Sequence, residues 1–332
     1  EADRNDPLIP LKKEYKAFNY YHLPDGKVAC LWKHALTSFS TDEGKTWDTL
    51  VYRAKGFVNS NAKIWGQRLT DGSYATVYNP SEFRWPLAIS TSADGLNYST
   101  LNLIHGEITP MRYGGNYKSY GPQYTRGIQE GNGIPADKNL WVAYSMNKED
   151  MWVSCIPVPV KINPTVQAND NLDQFSKISD LSEWNIYSPL WAPVSLEKVN
   201  GKNWLTLSDK DPFDFAKAVR KIPATKELKV SFDFRAEQAD KGIFRIEFLD
   251  DKGIACSRLE FRPDSTFQAK GGSRWGGLMK YQAGKTYKID IQLSVENRSI
   301  KVFADGKQLG VRMFFAPVAA IERIVFSTGE TN

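Results

Sequence analysis

Ser40-Thr41-Asp42-Glu43-Gly44-Lys45-Thr46-Trp47 reads as a turn whose parts have separate physical jobs. The Asp42 carboxylate can accept hydrogen bonds from backbone N–H groups in a tight turn. Gly44 supplies the positive φ that such a turn needs. Trp47 is expected at the start of the next strand, with a large apolar surface to bury. The stretch therefore predicts a pinned hairpin at the edge of a small antiparallel sheet.

Working outward, three segments share one plan: strand, turn, strand, loop, strand, turn, strand. In the first, strands over residues 18–23 and 27–33 flank Pro24-Asp25-Gly26, a strong hairpin signal. Strands over 37–40 and 47–52 then flank the quoted turn. In the second, strands over 64–69 and 73–78 flank Thr70-Asp71-Gly72, and a strand over 87–91 leads into Ser92-Ala93-Asp94-Gly95-Leu96-Asn97-Tyr98, a degenerate copy of the turn. The two Asp-Gly turns lie about 46 residues apart, near the ~40–50 residues of a four-stranded propeller blade. The third segment runs from Gln123 through Asn139-Leu140-Trp141-Val142-Ala143-Tyr144-Ser145 to Met151-Trp152-Val153-Ser154-Cys155, and its copy of the turn is lost. Closed propellers have ~4–8 blades. Three blades imply further blades from an upstream segment or another chain. The alternative is a small twisted multi-sheet domain that borrows the turn.

Pro157-Val158-Pro159-Val160 and the polar run to Asp173 read as a linker. Beyond Trp184 the pattern changes. Residues 204–207, 228–234, 244–249, 287–293 and 299–303 alternate with period two, and Asp250-Asp251-Lys252-Gly253 and Ala304-Asp305-Gly306 mark hairpin turns. Many strands with turn signals between them argue a β-sandwich. The expected fold is all-β: a partial, about three-blade β-propeller followed by a C-terminal β-sandwich of jelly-roll type. The expected domains are residues 1–160, a linker over 161–183, and residues 184–332.

Composition narrows the function classes. The chain is 41% apolar and 24% charged, ordinary for a globular protein. The 13% aromatic content suits an all-β core and a sugar-stacking site equally. A net charge of +5 without long Lys/Arg runs argues against nucleic acid and fits an acidic partner. Cys30, Cys155 and Cys256 are far apart and lack metal-ligand spacing. There is no transmembrane run, and no signal peptide is present, which fits either a cytosolic protein or a processed secreted one. The start at Glu1-Ala2-Asp3 suggests a missing upstream portion.

Residues roughly 8–160 resemble the C-terminal blades of an Asp-box (BNR) sialidase-like β-propeller of the polysaccharide-utilisation type. The likeness rests on residues 40–47 and on Ile64-Trp65-Gly66-Gln67-Arg68, Tyr78-Asn79-Pro80-Ser81, Gly121-Pro122-Gln123-Tyr124 and residues 144–150. Residues roughly 184–330 resemble a laminin-G/concanavalin-like jelly roll, for which residues 290–293 and 299–306 are typical. Relatives of this kind include exo-glycosidases and uronate-directed lyases, so the resemblance implies carbohydrate binding and polysaccharide degradation outside the cytoplasm. Fold alone does not supply the reaction.

In such a blade the Asp box joins the third and fourth strands on one face. The second-to-third loop and the blade-to-blade crossover lie on the opposite rim, where sialidase-like propellers bind ligands. Asp42 is thereby excluded as a catalyst. The rim set comprises Lys33, His34, Asn79, Glu82, Arg84, Arg112, Tyr113, Tyr117, Lys118, Tyr120 and residues 147–150; Gln67, Arg68, Gln123, Tyr124 and Arg126 fall on the innermost strands. Arg can hold a sugar carboxylate in a bidentate fork. Candidate catalytic residues are His34, Tyr120 and Glu149. Candidate substrate-binding residues are Lys33, Gln67, Arg68, Asn79, Arg84, Arg112, Tyr117, Lys118, Gln123, Arg126 and Lys148. A solvated loop histidine, a packed Tyr120 and a polar turn at 147–150 are the plainer readings. The arginine triad of the sialidase pattern has Arg68, Arg84, Arg112 and Arg126 as candidates, with its early arginine and catalytic aspartate expected upstream.

The first expectation is a secreted or periplasmic exo-glycoside hydrolase of sialidase-like type acting on an acidic oligo- or polysaccharide. The second is a uronate-directed lyase, in which Arg or Lys neutralises the carboxylate and a His/Tyr pair moves the protons. The third is a non-catalytic glycan-binding protein, with Trp275 on a Gly-rich loop as platform. No cofactor is predicted; a structural Ca2+ in the β-sandwich is left open.

Overall fold

The computed structural model describes residues 17–56, 61–128, 135, 137–161, 164 and 167–329. The chain divides into two compact units, residues 1–162 and 163–332. Of the expected linker, residues 162, 163, 165 and 166 lie outside the described residues. The described secondary structure is all-β apart from short 3-10 turns. No described helix is long and apolar enough to cross a membrane.

The first unit holds three antiparallel sheets, none closed. The first is β1 (Asn19–His22), β2 (Val28–Trp32), β3 (Leu36–Ser40) and β4 (Tyr52–Arg53), paired in chain order. The second repeats the plan with β5 (Trp65–Arg68), β6 (Tyr74–Tyr78), β7 (Leu87–Ser92) and β8 (Asn102–His105). The third has three described strands, β9 (Pro122–Ile128), β10 (Leu140–Met146) and β11 (Asp150–Ile156). The first strands stand side by side, β1 against β5 and β5 against β9, as the inner strands of adjacent blades do. Close approach there needs small residues. A Cβ on Gly127 would lie 2.1 Å from Trp65 Nε1, and one on Gly66 would lie 2.9 Å from the Tyr21 ring.

Apolar layers fill the spaces between blades. Tyr21, Leu31, Ile64 and Tyr74 bury between the first and second sheets; Val77, Leu87, Val142 and Met146 bury between the second and third. The Ser40–Asp42 turn is built as its chemistry demands. Asp42 Oδ1 accepts from Thr46 N at 2.8 Å and from the Ser40 hydroxyl at 2.7 Å, and Gly44 sits at φ +81°. These bonds to Thr46 and Ser40 pull the Asp42 carboxyl down to about 2.

Trp47 departs from expectation. It lies outside a strand and is half-buried, and the fourth strand begins only at Tyr52. The chain is held there by other means: Asp48 N–H donates to Phe39 O at 2.9 Å, and the Trp47 ring meets Phe18 edge-on at 5.5 Å. The degenerate copy, conversely, is fully formed. Asp94 Oδ1 accepts from Leu96 N and Asn97 N, both at 2.8 Å, and Tyr98 takes the place of the tryptophan. Tyr98 is buried, and its hydroxyl meets that of Tyr21 at 2.7 Å.

The second unit is a two-layer sandwich. One layer is a seven-stranded sheet ordered β12 (Trp184–Tyr187), β15 (Lys217–Thr225), β24 (Ile321–Gly329), β17 (Ile243–Leu249), β18 (Ala255–Phe261), β19 (Thr266–Gly271) and β20 (Arg274–Lys280). The other holds a four-stranded sheet, β16 (Glu227–Arg235), β21 (Thr286–Ser294), β22 (Ser299–Ala304) and β23 (Lys307–Met313), and a separate hairpin of β13 (Val194–Val199) and β14 (Lys202–Leu207). Alternation along β21 shows the cause: Tyr287, Ile289, Ile291 and Leu293 are buried while Thr286, Lys288 and Gln292 are exposed. Trp275 is not on a loop. It lies in β20, and the Arg262 guanidinium covers its ring at 4.4 Å. The three cysteines are free.

Candidate functional site

Strand direction puts the turns at residues 40–47 and 92–98 at one end of the blades and the loops after β2, β6 and β10 at the other. Backbone strain collects at that second end. His34, Ala35, Arg84, Tyr117, Tyr124, Asn147 and Lys148 all adopt positive φ, from 54° to 66°. Such non-glycine residues are uncommon and cluster where surrounding structure over-determines them.

A cleft of about 720 Å³ opens there, lined by Phe83, Trp85, Tyr117 and Tyr120 with Glu82, Arg84 and Lys148. Its aromatic groups are unusually open: Phe83 is 86% exposed and Tyr117 91%. Exposed rings beside cations are suited to the apolar face and the acid group of a charged sugar.

Arg84 is the best-positioned cation. Its Nε donates to Asn61 Oδ1 and its Nη1 to Gln123 Oε1, each at 3.0 Å. Both partners are neutral amides, and among the described residues no carboxylate pairs with Arg84. Gln123 is buried and is itself fixed, its Nε2 donating to Ser119 Oγ at 2.8 Å and to Ser119 O at 3.0 Å. The Arg84 guanidinium also lies 5.8 Å from the centre of the Tyr124 ring.

Tyr124 is half exposed, at 50%, and lies within a register shift of the β9–β10 ladder, a site where bulges re-aim side chains. Partial burial pushes its phenol up. The Arg84 hydrogen bond and the charges of Lys148, Arg84 and Lys33 outweigh that effect, and the phenol ionises below its ordinary range. Three loops, from three blades, thus converge on one ring. The sequence placed Tyr124 on an inner strand but gave it no role; nothing local in Gln123-Tyr124-Thr125 shows which cations surround it.

The other expected residues sort by their partners. Tyr117, Tyr120 and Lys148 join Arg84 in lining the cleft, and the Lys148 ammonium also donates to Tyr117 O. Lys33 contributes charge at Tyr124. His34 is exposed in the same turn, where its carbonyl accepts from Arg53 Nη1 at 2.8 Å; it does not line the cleft. Arg126 lies over the Trp65 ring at 5.8 Å on the inner strand.

Several candidates turn out to hold the scaffold. Glu149, expected as an acid or base, is held as an anchor of the 112–118 loop. Its side chain is 2% exposed, Arg112 N and Tyr113 N donate to its two oxygens at 3.1 and 2.8 Å, and Lys118 Nζ lies 3.3 Å away. Desolvation raises its carboxyl, but those donors win and hold it below the usual range. Lys118 is consumed in the same knot, donating to Lys148 O at 3.2 Å as well. Arg112 is paired with Asp150 and faces Glu149, so its charge is already compensated within the protein. Asn79 is buried and donates to Pro122 O at 2.8 Å and Pro86 O at 3.0 Å. Gln67 is buried and accepts from Trp65 Nε1 at 2.8 Å. Arg68 sits at the opposite end of its strand, paired with Tyr74 near Gly72, on the side of the turns at residues 40–47 and 92–98. Among the described residues no group of three or more His, Cys, Asp or Glu is disposed to hold a metal ion.

Residues 22–135 match the family model of a BNR repeat-like domain, and residues 184–332 match that of a sialidase-like CBM domain. No curated protein matches the chain. A solved structure titled "Sialidase" is 69% identical, covers 99% of this chain with a TM-score of 0.93, and is itself covered to 30%. The chain therefore spans about 30% of the length of that relative. Trypanosoma rangeli sialidase in complex with 2,3-difluorosialic acid is 12% identical over 97% of this chain and 58% of its own, with a TM-score of 0.30. Sheep galectin-11 is 12% identical over 34% of this chain and 92% of its own, with a TM-score of 0.27. Scores this low carry no structural inference.

Proposed function

We propose that the chain is part of a carbohydrate-active enzyme of sialidase-like type, and that its first unit binds the acid group of an acidic sugar at Arg84. The observation that carries this reading is a guanidinium held by two neutral amides at the wall of an aromatic cleft. A charge-assisted bidentate contact to a carboxylate completes what Asn61 and Gln123 leave uncompensated. Phe83, Tyr117 and Tyr120 offer ring faces to the sugar, and Lys148 adds a second positive charge. The sialidase-like family matches and the 69% identical relative support the glycan context. The match of residues 184–332 to a sialidase-like CBM domain supports reading the second unit as a carbohydrate-binding part.

Hydrolysis of an exo-linked acidic sugar is the first reaction. Tyr120, exposed on the cleft, is the candidate nucleophile, and Glu82 is the carboxylate lining the cleft. A lyase reading is favoured by one feature, the phenol of Tyr124 beside cations that would neutralise a uronate carboxylate. Export to the periplasm or exterior accompanies either reaction, since polymeric acidic glycans lie there.

Calorimetric titration of the chain with N-acetylneuraminic acid, glucuronic acid and glucose tests the binding claim. The acids should bind and glucose should not; equal binding of all three would end this reading. With the full-length protein, an ultraviolet-absorbing unsaturated uronate marks elimination, and new reducing ends without it mark hydrolysis.

A further inference from the structure

The seven-stranded sheet turns one face into the sandwich core, through Ile246 on β17, Leu259 on β18 and Phe267 and Ala269 on β19. Alternation sends the intervening residues to the other face. Arg245 and Glu247, Arg258 and Glu260, and Gln268 and Lys270 therefore point away from the core. The register of β20 sets Gly277 beside Gln268 and Trp275 beside Lys270 on that same outer face.

The charges there do not balance. Glu260 is buried, and its carboxylate serves two guanidiniums: Arg245 Nε donates to Oε1 at 3.0 Å and Arg262 Nε to Oε2 at 2.9 Å. Glu247 and Arg258 pair at 2.6 Å and offset each other. Lys270 adds a further positive charge. Its ammonium lies over the Phe315 ring at 4.6 Å, and among the described residues no carboxylate pairs with it. Arg245, Arg262 and Lys270 thus share the single anion Glu260.

The same face has room for a ligand beside those cations. Gly277 is exposed, and a Cβ built on it would meet nothing within 4 Å. The open notch above it lies next to Trp275 along β20 and next to Gln268 across the ladder. Its walls are set in place. The Arg262 guanidinium lies 4.4 Å from the centre of the Trp275 ring, and Gln268 Nε2 donates to Thr266 Oγ1 at 2.9 Å. An aromatic wall, an amide and uncompensated cations complement a sugar ring that carries an acid group.

We infer that the outer face of β18–β20 binds an anionic oligosaccharide, one sugar seated over Gly277 against Trp275 and Gln268, its carboxylate or sulfate held by Arg262 and Lys270. The inference rests on reading the second unit as carbohydrate-binding, and it gives that unit's ligand a charge and a place. A nucleic acid would call for a longer track of cations along its phosphates.

The test uses the 332-residue chain carrying Arg84→Ala, which weakens the cleft of the first unit. Tetragalacturonate probes a carboxylate, a κ-carrageenan hexasaccharide probes a sulfate, and maltohexaose is the neutral control. At least one anionic probe should slow hydrogen exchange of the β19 and β20 amides, and maltohexaose should not. Lys270→Ala should weaken that probe up to about fivefold, and the loss should shrink at high salt. Gly277→Val fills the notch and should abolish binding; a thermal melt checks that it folds, and Lys270→Ala decides the matter if it does not. Equal protection by maltohexaose overturns the inference, as does affinity unchanged in the folded variants. Protection confined to other strands of residues 184–332 overturns this site but keeps the unit carbohydrate-binding. No protection anywhere in the unit removes both readings.

Discussion

Gln123 Oε1 accepts from Arg84 Nη1 at 3.0 Å, and this one contact ties an inner strand to the rim cation. The amide neither neutralises the charge nor lets it swing, because its own nitrogen is fixed by Ser119 and Tyr120. Arg112, by contrast, spends its charge on Asp150. Two arginines that look alike in sequence therefore differ in what they can offer a ligand. Arg84→Ala should weaken acidic-sugar binding by about 1.5–3 kcal/mol, the range for a hydrogen bond to a charged group. Arg112→Ala should leave affinity nearly unchanged. Gln123→Glu, which pairs Arg84 with a carboxylate, should lower acidic-sugar affinity without touching neutral-sugar binding. Calorimetry on the three variants decides it; a larger loss for Arg112→Ala than for Arg84→Ala would contradict the assignment.

The Tyr124 phenol gives a pH test. Its ionisation lies below the ordinary 10.0 because Arg84, Lys148 and Lys33 surround it. The lowered pKa favours the phenolate in the folded state. That stabilisation is full above the ordinary pKa and fades as pH falls through the folded one. Tyrosinate absorbance should show one phenol ionising ahead of the rest. Arg84→Ala should move that step upward, and Tyr124→Phe should abolish it. An unchanged early step in Tyr124→Phe would assign it to another residue.

How much of this was legible in the sequence follows the range of the interaction. The turn at Ser40 and Asp42 was readable because every donor sits within six residues, and the hairpins at Asp25 and Asp71 were readable for the same reason. Asn79, Asn147 and Glu149 were not. Each looks like a rim polar group, yet Asn79 reaches Pro122, Asn147 reaches Thr109 and Gly121, and Glu149 reaches Arg112. Buried polar side chains must be paired, and pairing across 26 to 43 positions has no local signature. Tyr124 is the same problem with charge in place of hydrogen bonds.

Glu149 makes that point measurable. If it anchors the 112–118 loop, Glu149→Gln replaces one acceptor oxygen with a donor facing backbone N–H groups. The variant should lose about 1–3 kcal/mol of stability, read as a lowered midpoint in urea unfolding. Binding of acidic sugar should weaken only as far as Lys148 and Tyr117 shift. A fully stable variant with no activity would instead mark Glu149 as an acid or base.

The inter-blade staple at Gly95 and Tyr98 makes the last prediction, and a glycine comparison isolates it. Gly95 and Gly26 both sit in turns at positive φ, +77° and +84°. A Cβ on Gly26 would meet nothing within 4 Å, whereas one on Gly95 would come within 2.8 Å of Leu23 and 3.2 Å of Tyr21 and Tyr74. Gly26→Ala therefore carries only the left-handed backbone penalty, about 1–2 kcal/mol. Gly95→Ala adds overpacking of about 1–3 kcal/mol between two blades. It also displaces the carbonyl that accepts from the Tyr21 hydroxyl at 2.6 Å. Thermal melts should place Gly95→Ala clearly below Gly26→Ala. Tyr98→Phe, which removes the partner hydroxyl at Tyr21, should fall between Gly26→Ala and the parent. Equal melting of the two glycine variants would mean that the degenerate turn does not clamp the first blade to the second.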